Sequence, residues 1–293
     1  MIVLGFASIA ALTYPAWQVL HPSLGVPFHR LGERIGMLVL FATTLVFSSR
    51  LGIRDRNDLG YGIPRASFAR EIVLGLCLGV VTMLACVGCM HALGLLDWAP
   101  ARLLTTSTLL KLVITRLGSG LAVAFIEETF LRGAMFTAIK RESGASFAVI
   151  ATSILYATSH FFASFHIPAD QVSSSSGLAL LTGTLHLLAQ PLYIADAFLC
   201  LFAVGVALSL VRLATGNIAA CVGLHAGWVW VMLVAHELSF PAKSAPLHFL
   251  LSRFDGFVGW LVLAWTVLLA VFLQNFYGRR RRLSSGQFES DCQ

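Results

Sequence analysis

Charged side chains are scarce in this sequence. Only 12% of its 293 residues are Asp, Glu, Lys or Arg, whereas a soluble domain carries roughly 25%. Hydrophobic residues make up 57% of the chain, and the mean hydropathy is +0.82. This composition excludes a soluble enzyme built around one buried core, and it also excludes a disordered chain. It indicates a helical protein that crosses a membrane several times.

Acidic residues are fewer than basic ones, so the chain has a net charge of +6. Such an excess can indicate a nucleic-acid partner, but the densest basic run, Arg279 to Arg282, directly follows an apolar stretch. Positive charge in that position is typical of a cytoplasmic anchor beside a membrane span. We therefore expect the lipid bilayer, and no nucleic acid, as a partner.

Cysteine is also scarce, with six residues in the whole chain. Cys86 and Cys89 have Cys-x-x-Cys spacing, but the sequence has no second pair to complete a metal site. We interpret these and the other cysteines in apolar runs as small packing residues. The amino-terminal segment lacks the basic residues that begin a signal peptide, so residues 2–20 are interpreted as a first span.

Eight mostly apolar runs are candidates for membrane spans, which need about 20 residues each. The candidates are residues 2–20, 35–50, 72–96, 117–139, 145–165, 192–212, 217–235 and 257–277. Residues 103–116 have an amphipathic pattern that suits an interfacial helix, and residues 178–189 are a further apolar stretch. Gly75 and Gly79 form a small-xxx-small pair suited to close helix packing, unless they are two ordinary members of a set of 25 glycines.

The distribution of basic residues orients these spans. With both termini inside, the predicted inner segments hold twelve Lys and Arg residues and the outer segments hold seven. Positive charge prefers the cytoplasmic side, so we expect both termini inside. The predicted fold is all-α, a polytopic transmembrane helix bundle. Residues 1–278 form a single transmembrane domain, and residues 279–293 form a basic, disordered cytoplasmic tail.

Two adjacent acidic residues, Glu127 and Glu128, stand about ten residues into an apolar run, roughly 15 Å from its outer end. Charged groups at such depth are costly and indicate function. Arg132 follows Glu128 by four residues, so the two side chains share one helix face and can pair. Glu127 points about 100° away and stays partly free, which suits a general base acting on water. A purely structural ion-pair cluster between helices is the alternative.

Two histidines lie inside later apolar runs. Measured from the inner side, Glu127, His160 and His225 are about 18, 22 and 12 Å deep, all near the middle of the membrane. A single histidine in such a run is more often a packing residue, but two of them level with an unpaired carboxylate predict a catalytic cluster. Asp196, another acid within a run, lies near its outer end and can reach the interface.

Three short motifs carry a family resemblance. The string Glu-Glu-Thr-Phe-Leu-Arg at residues 127–132 matches the Glu-Glu-x-x-x-Arg motif of the CPBP intramembrane proteases. The second motif of that family, Phe-x-x-x-His, resembles residues 156–160, where Tyr156 replaces Phe. The third, His followed four residues later by Asn, resembles residues 225–229, where Val229 replaces Asn. The motifs have the family's order and lie in successive apolar runs.

The resemblance extends over roughly residues 50–235, with the core at 118–235. The family includes the type II CAAX prenyl endopeptidases and bacterial proteins linked to bacteriocin processing and self-immunity. It implies an intramembrane endopeptidase in which Glu127 is the general base, His160 holds or polarises a water, and His225 stabilises the oxyanion.

In the same comparison, Glu128 and Arg132 would lock the helix and tune Glu127. The implied partner is a peptide or protein substrate, lipidated and membrane-anchored ones included, and no cofactor is expected. The implied location is the inner membrane of a bacterial cell, as a multi-pass protein.

Val229 is the one departure that affects the chemistry, because its side chain cannot donate a hydrogen bond. Losing one oxyanion-hole donor typically costs about 10²–10³ in rate. An indole N–H of Trp228 or Trp230 could replace it, His225 could act alone, or the chain could have little protease activity. We expect an indole N–H of Trp228 or Trp230 to replace the missing hydrogen-bond donor.

Other chemistries stay open as alternatives. Glu127, His160 and His225 could form a zinc site with an open position for water, although no His-Glu-x-x-His pair is present. A non-proteolytic immunity or scaffold protein of the same fold is the alternative from another functional class. A proton-coupled transporter that uses Glu127 and Asp196 lacks support from repeat symmetry. Ser119 lacks the flanking residues of a serine nucleophile elbow.

Overall fold

The computed structural model of the chain describes residues 2–47, 50, 52–99, 105–163 and 165–290, which are largely helical. The helices in chain order are α1 (Ile2–Leu24), α2 (Phe28–Val46), α3 (Arg65–Ala92), α4 (Thr106–Glu128), α5 (Phe136–Ser143), α6 (Ala145–Ser159), α7 (Ser176–Leu188), α8 (Pro191–Thr215), α9 (Ala219–Leu238) and α10 (Trp260–Ser290). Strands β1 (Leu96–Trp98) and β2 (Ser239–Pro241) pair antiparallel. The predicted all-α polytopic fold is confirmed.

Six helical segments of the described residues are long and apolar enough to cross a membrane. They are Val3–Ser23, Arg65–Ala92, Thr106–Ser143, Pro191–Thr215, Ala219–Leu238 and Trp260–Arg280. Each of them overlaps one of the eight predicted spans. The two other predictions, residues 35–50 and 145–165, fall on α2 and α6, which do not meet both criteria.

The reason differs between these two helices. Helix α2 carries Arg30, Glu33 and Arg34 in its first two turns, so its composition is too polar. Helix α6 has only 15 residues and ends at Ser159, which corrects the predicted span over 145–165. The side chains of Ser159 and His160 both donate to the carbonyl of Tyr156. These bonds compete with the regular helix pattern, and the chain continues as a 3-10 turn, His160–Ala163.

Three other stretches also differ from a simple span count. The amphipathic residues 103–116 do not form a separate interfacial helix, because the described part belongs to one helical run over Thr106–Ser143. The apolar residues 178–189 form most of α7. Helix α10 is described through Ser290 and so includes most of the predicted tail 279–293. Residues 291–293, at the end of that tail, lie outside the described residues.

Helix α9 lies at the centre of the bundle, where its backbone closely approaches that of α3. A Cβ atom added at Gly75 or Gly79 of α3 would come within 2.6 or 2.5 Å of an α9 carbonyl oxygen. From the other side, Gly223 and Gly227 of α9 face carbonyl oxygens of α3. The prediction that Gly75 and Gly79 allow close helix packing is therefore confirmed. This contact positions His225, which stands on α9 between its two glycines.

The run Thr106–Ser143 is interrupted by a π-helical segment, Thr129–Met135, which begins directly after Glu128. Such segments shift the register of a helix and often occur at functional sites. The loop before α3 is fastened to this region, because Thr137 donates to the carbonyl of Asp58 at 2.6 Å and Tyr61 hydrogen-bonds Thr129. The loop and the core helices therefore hold the π segment from two sides.

Candidate active site

A fully buried ion pair forms the base of the site. Arg132 Nη1 donates to Glu128 Oε1 at 3.0 Å, and neither side chain is exposed to solvent. A second guanidinium nitrogen, Nη2, donates to the carbonyl of Gly205 on α8 at 3.2 Å. The guanidinium carbon also lies 4.8 Å from the ring centre of Tyr156 on α6. Arg132 thus connects three helices, although its Nε has no hydrogen-bond partner among the described residues.

His225 is held by the same carboxylate. Its Nδ1 lies 2.8 Å from Glu128 Oε1, and because a carboxylate only accepts, Nδ1 carries the proton of this bond. This contact fixes the ring so that Nε2 points away from Glu128. Nε2 lies 3.9 Å from Glu127 Oε2 and 3.5 Å from the hydroxyl of Tyr156. Glu128 and Arg132 therefore orient His225, a role beyond the predicted locking of the helix.

The two adjacent carboxylates have different surroundings. Glu128 is fully buried and accepts from both Arg132 and His225. The Glu127 side chain is 14% exposed, and its Oε2 atom has no hydrogen-bond partner among the described residues. The helix-face argument from the sequence separates the pair in the same way, since Arg132 contacts Glu128 and not Glu127. Glu128 Oε2 also lacks a hydrogen-bond partner among the described residues, so the two carboxylates differ in charge compensation and in exposure.

His160 stands at the point where α6 changes into the 3-10 turn. Its Nδ1 donates to the carbonyl of Tyr156 at 2.9 Å, and the two rings lie 4.4 Å apart. This hydrogen bond to a carbonyl four residues earlier fixes the orientation of the His160 imidazole. His160 is also the side chain that lies between the two cavities of the site.

The three predicted catalytic side chains do not line one common cavity. A cavity of about 200 Å³ is lined by His225, His160 and Tyr156, together with Val229 and apolar residues of α8 and α10. A smaller one of about 80 Å³ is lined by Glu127 and again by His160. The three side chains that the sequence predicts as a catalytic cluster therefore line two cavities, and His160 lines both of them.

The indole hypothesis does not fit this geometry. Trp228 Nε1 donates to the hydroxyl of Thr82 at 3.1 Å, and Trp230 Nε1 donates to the carbonyl of Val113 at 2.9 Å. Each indole has a single N–H, so neither has a donor left for an oxyanion. The hydroxyl of Tyr156, which sequence reasoning overlooked, lies nearest to Nε2 of His225. The sequence did contain an indication of this hydroxyl, because Tyr156 occupies a motif position where Phe is usual.

The remaining sequence candidates have structural roles. Asp196 accepts from its neighbour, the backbone N–H of Ala197, at 2.8 Å and from the backbone N–H of Arg253 at 3.3 Å. It therefore fastens the loop before α10 and lies away from Glu127. Ser119 donates to the carbonyl of Thr115 within its own helix at 3.0 Å. Neither arrangement supports the transporter or the serine alternative.

The zinc alternative needs three ligands that converge on one point. Within the part of the chain that the structure describes, no three His, Cys, Asp or Glu side chains form a group that could hold a metal ion. The Nδ1 hydrogen bonds of His160 and His225 do not involve either Nε2, so the misfit lies in the positions of the three side chains and not in their protonation. The residues of the predicted alternative site, Glu127, His160 and His225, therefore do not fit a zinc ion in this arrangement.

Comparison with known families places this site in context. A family model described as type II CAAX prenyl endopeptidase, Rce1-like, matches residues 108–231, from the start of α4 into α9. No curated protein and no solved structure matches the chain. The match supports an intramembrane protease function, and with the six long apolar helices it supports a multi-pass membrane protein. Residues 108–231, the core of this chain, are therefore similar to the Rce1-like type II CAAX prenyl endopeptidases.

Proposed function

We propose that this chain is an intramembrane endopeptidase in which Glu127 activates a water molecule for attack on a peptide carbonyl. The observation that supports this proposal is the unequal environment of the two carboxylates. Glu128 Oε2 also lacks a hydrogen-bond partner among the described residues, but Glu128 is fully buried and is neutralised by Arg132 and His225. Glu127 is 14% exposed and lines the small cavity, and its Oε2 keeps a lone pair without a hydrogen-bond partner among the described residues. A general base needs such a lone pair for the proton that it removes.

The small cavity beside Glu127 is where the water would bind. A buried water needs a cavity of at least roughly 10–15 Å³ and two or more polar partners. The cavity has about 80 Å³, and Glu127, His160 and Ser159 provide polar groups at its wall. The scissile carbonyl would approach from the larger cavity, on the other side of His160.

The proposed reaction needs no covalent intermediate and no cofactor. The water oxygen bonds to the carbonyl carbon while one water proton moves to Glu127. The carbonyl oxygen becomes an oxyanion, and a protonated Nε2 of His225 donates to it; Glu128 stabilises this imidazolium through Nδ1. The C–N bond then breaks, and Glu127 passes its proton to the leaving amine.

A second oxyanion donor replaces the amide that is missing at Val229. The hydroxyl of Tyr156 lies 3.5 Å from His225 Nε2 and lines the same cavity as Val229. In the proposed reaction Nε2 carries a proton and cannot accept from this hydroxyl, so the single O–H of Tyr156 can donate to the oxyanion. Both indole donors nearby are already engaged. We therefore assign the second hydrogen bond to Tyr156 rather than to Trp228.

The substrate is a peptide or protein with an apolar group next to the scissile bond, held at the membrane. The wall of the larger cavity is mostly apolar, with Val204, Val258 and Val262 among its residues. Such a surface suits a bulky apolar side chain or a lipid attached to the substrate. The family name adds a prenylated carboxyl-terminal segment as the first candidate, and the bacterial inner membrane is the proposed location.

The test uses the full-length protein in liposomes with a fluorescence-quenched peptide that ends in a farnesylated Cys-a-a-X sequence. Replacing the base, Glu127→Gln, is expected to lower kcat by about 10²–10⁴-fold, because amide cannot accept the proton. Glu237→Gln is the matched control, since this glutamate pairs with Arg116 away from the site. Full cleavage by Glu127→Gln would contradict the proposal. Loss of cleavage after thorough chelation would favour zinc chemistry instead.

A non-proteolytic immunity or scaffold protein is the second candidate, and Val229 is the observation that favours it. Such a protein tolerates Glu127→Gln, because its function does not depend on a base. Cells that produce the wild type or Glu127→Gln can be compared by mapping both the amino and the carboxyl termini of their membrane proteins, because cleavage of a carboxyl-terminal segment changes only the carboxyl terminus of the anchored product. New termini that appear only with the wild type support the protease, and identical sets support the scaffold.

A further inference from the structure

A third glutamate faces the small cavity from outside the family-matched segment. Glu33 lies on α2, and the cavity beside Glu127 is lined by Glu33 together with Met37 and Leu40, four and seven residues further along. This spacing is that of one helix face, so α2 presents a continuous face to the cavity. Glu127 and His160 line the same cavity from other helical segments. No part of the proposed reaction uses Glu33.

Glu33 has no strong counter-ion of its own. Within the described residues, no Lys, Arg or His nitrogen lies within 4 Å of its carboxylate. Arg30 and Arg34, on the same helix, act on Glu33 only at longer range. The rest of the cavity wall is mostly apolar, with Ile126, Phe130, Leu131 and Leu155 among its residues. Two ionised carboxylates on such a small, weakly polar cavity repel each other strongly.

The charges near Glu127 do not remove this repulsion. Arg132 is engaged by Glu128, and His225 Nε2 is 3.9 Å from Glu127 Oε2 while its Nδ1 is bound to Glu128. His160 borders the cavity with Nδ1 donating to a backbone carbonyl. The nearby cations are thus shared with the fully buried carboxylate, and one proton between the two cavity glutamates is the simplest way to lower their repulsion.

We propose that Glu33 is a positioning residue that shares one proton with Glu127 across the small cavity. This inference rests on the proposed function, in which Glu127 must take up a proton from water and later release it. A neighbouring carboxyl that holds or returns this proton keeps it at the site until the amine leaves. Helix α2, which lies outside residues 108–231, would then complete the catalytic centre of this chain.

The test measures protonation without requiring cleavage. Dicyclohexylcarbodiimide modifies protonated carboxyl groups in apolar surroundings, and mass spectrometry of the full-length protein in detergent gives the modified fraction of each glutamate against pH. Removing the neighbouring charge, Glu33→Gln, is expected to move the midpoint for Glu127 to lower pH by about one unit or more. Glu33→Asp keeps the acid and should restore the wild-type midpoint. Glu71→Gln is the matched control, because Glu71 pairs with Arg280 on other helices.

A second readout uses the wild type alone, so it does not depend on the folding of a variant. If the two glutamates share one proton at neutral pH, each protein molecule should be modified at one of them and not at the other. Protein modified at both positions should then be nearly absent. An unchanged midpoint in a folded Glu33→Gln variant, or abundant double modification, would overturn the inference.

The same variants separate this inference from the proposed function. If Glu127→Gln abolishes peptide cleavage while Glu33→Gln leaves the Glu127 midpoint unchanged, the proton sharing is wrong and the protease proposal stands. If the midpoint shifts but Glu127→Gln still cleaves the peptide, the glutamate pair stands and the base assignment is wrong. When both proposals hold, the acidic limb of the pH–rate profile moves in Glu33→Gln in the same direction as the midpoint.

Discussion

Arg132 is a cation without any contact to solvent, and the centre of the site depends on it. Its guanidinium pairs with Glu128, donates to Gly205 and lies over the ring of Tyr156. Burying two charges costs several kcal/mol each, which their mutual attraction only offsets when the geometry is good. Removing one partner of such a pair is therefore more destabilising than replacing both by apolar residues, because one charge then stays buried without a partner.

We expect Arg132→Met to lower the free energy of unfolding by about 3–5 kcal/mol, since Glu128 is left uncompensated. Unfolding can be followed by circular dichroism during a titration of SDS into mixed micelles. Arg116→Met is the matched control, and its pair with Glu237 is partly exposed, so we expect a loss of about 0–1 kcal/mol. Equal losses of unfolding free energy in the two variants would contradict the expectation that the buried pair is more sensitive than the partly exposed one.

The hydroxyl of Tyr156 is expected to act on the reaction and not on stability. Tyr156→Phe keeps the ring below Arg132 and removes only the proposed oxyanion donor. We expect kcat to fall by about 10²-fold with little change in KM, because the lost bond forms in the transition state. Tyr193→Phe, which removes a hydroxyl that donates to the carbonyl of Arg253, serves as the control. An unchanged kcat would assign the oxyanion to His225 alone.

Helices α3 and α9 illustrate how a backbone contact can position a side chain that is proposed to be catalytic. Gly75 and Gly79 meet Gly223 and Gly227 at distances that leave no space for a side chain. His225 lies between the α9 glycines, so its distance to Glu128 depends on how closely α9 approaches its neighbours. Packing in a membrane lacks a hydrophobic driving force between helices, and small residues that allow close approach take its place.

We expect Gly223→Ala to be destabilising by about 1–3 kcal/mol, because the new Cβ would overpack this contact. That Cβ would lie 2.2 Å from the carbonyl oxygen of Ile72, so α9 must move away and cleavage should fall as well. Gly88→Ala on α3 is the control, since nothing lies within 4 Å of its Cβ position. We expect that change to be neutral or slightly stabilising, by up to about 1 kcal/mol. Similar effects of both changes would contradict the importance of the contact.

At the scale of the whole molecule, the described residues include six long apolar helices and additional shorter ones, so the path of the chain through the membrane is not a simple series of spans. Helix α6 has 15 residues and α7 has 13, each too short to cross about 30 Å of hydrocarbon at 1.5 Å per residue. Shorter helices can lie inside a bundle where longer neighbours shield them from lipid. Both flank the turn that carries His160.

The excess of basic residues on the predicted inner segments leads to an expectation for both termini. Green fluorescent protein fused to either terminus should be fluorescent in a bacterial host, because it matures only in the cytoplasm, and alkaline phosphatase fused there should be inactive. A phosphatase fusion within residues 244–247, in the predicted outer loop before α10, should be active. The opposite pattern would contradict the orientation taken from the basic residues.

Much of the candidate site could be predicted from short-range patterns. The pairing of Arg132 with Glu128, and its absence for Glu127, follow from the angle between neighbouring residues on a helix. The order of motifs identified the family, which the match over residues 108–231 confirms. The end of α6 at Ser159 was missed, because a span of apolar residues does not show that two side chains compete for one carbonyl.

Composition and local spacing alone determined that this protein is a helical membrane protein, that Glu128 and not Glu127 pairs with Arg132, and which family its core resembles. Those properties depend on residues that are neighbours in the chain or on one helix. Only the tertiary structure decided that His225 hydrogen-bonds Glu128, that both indole N–H groups are bound elsewhere, and that Glu33 and Glu127 line the same cavity. These contacts join helices more than 90 residues apart, and no local pattern contains the packing that sets the distances between them.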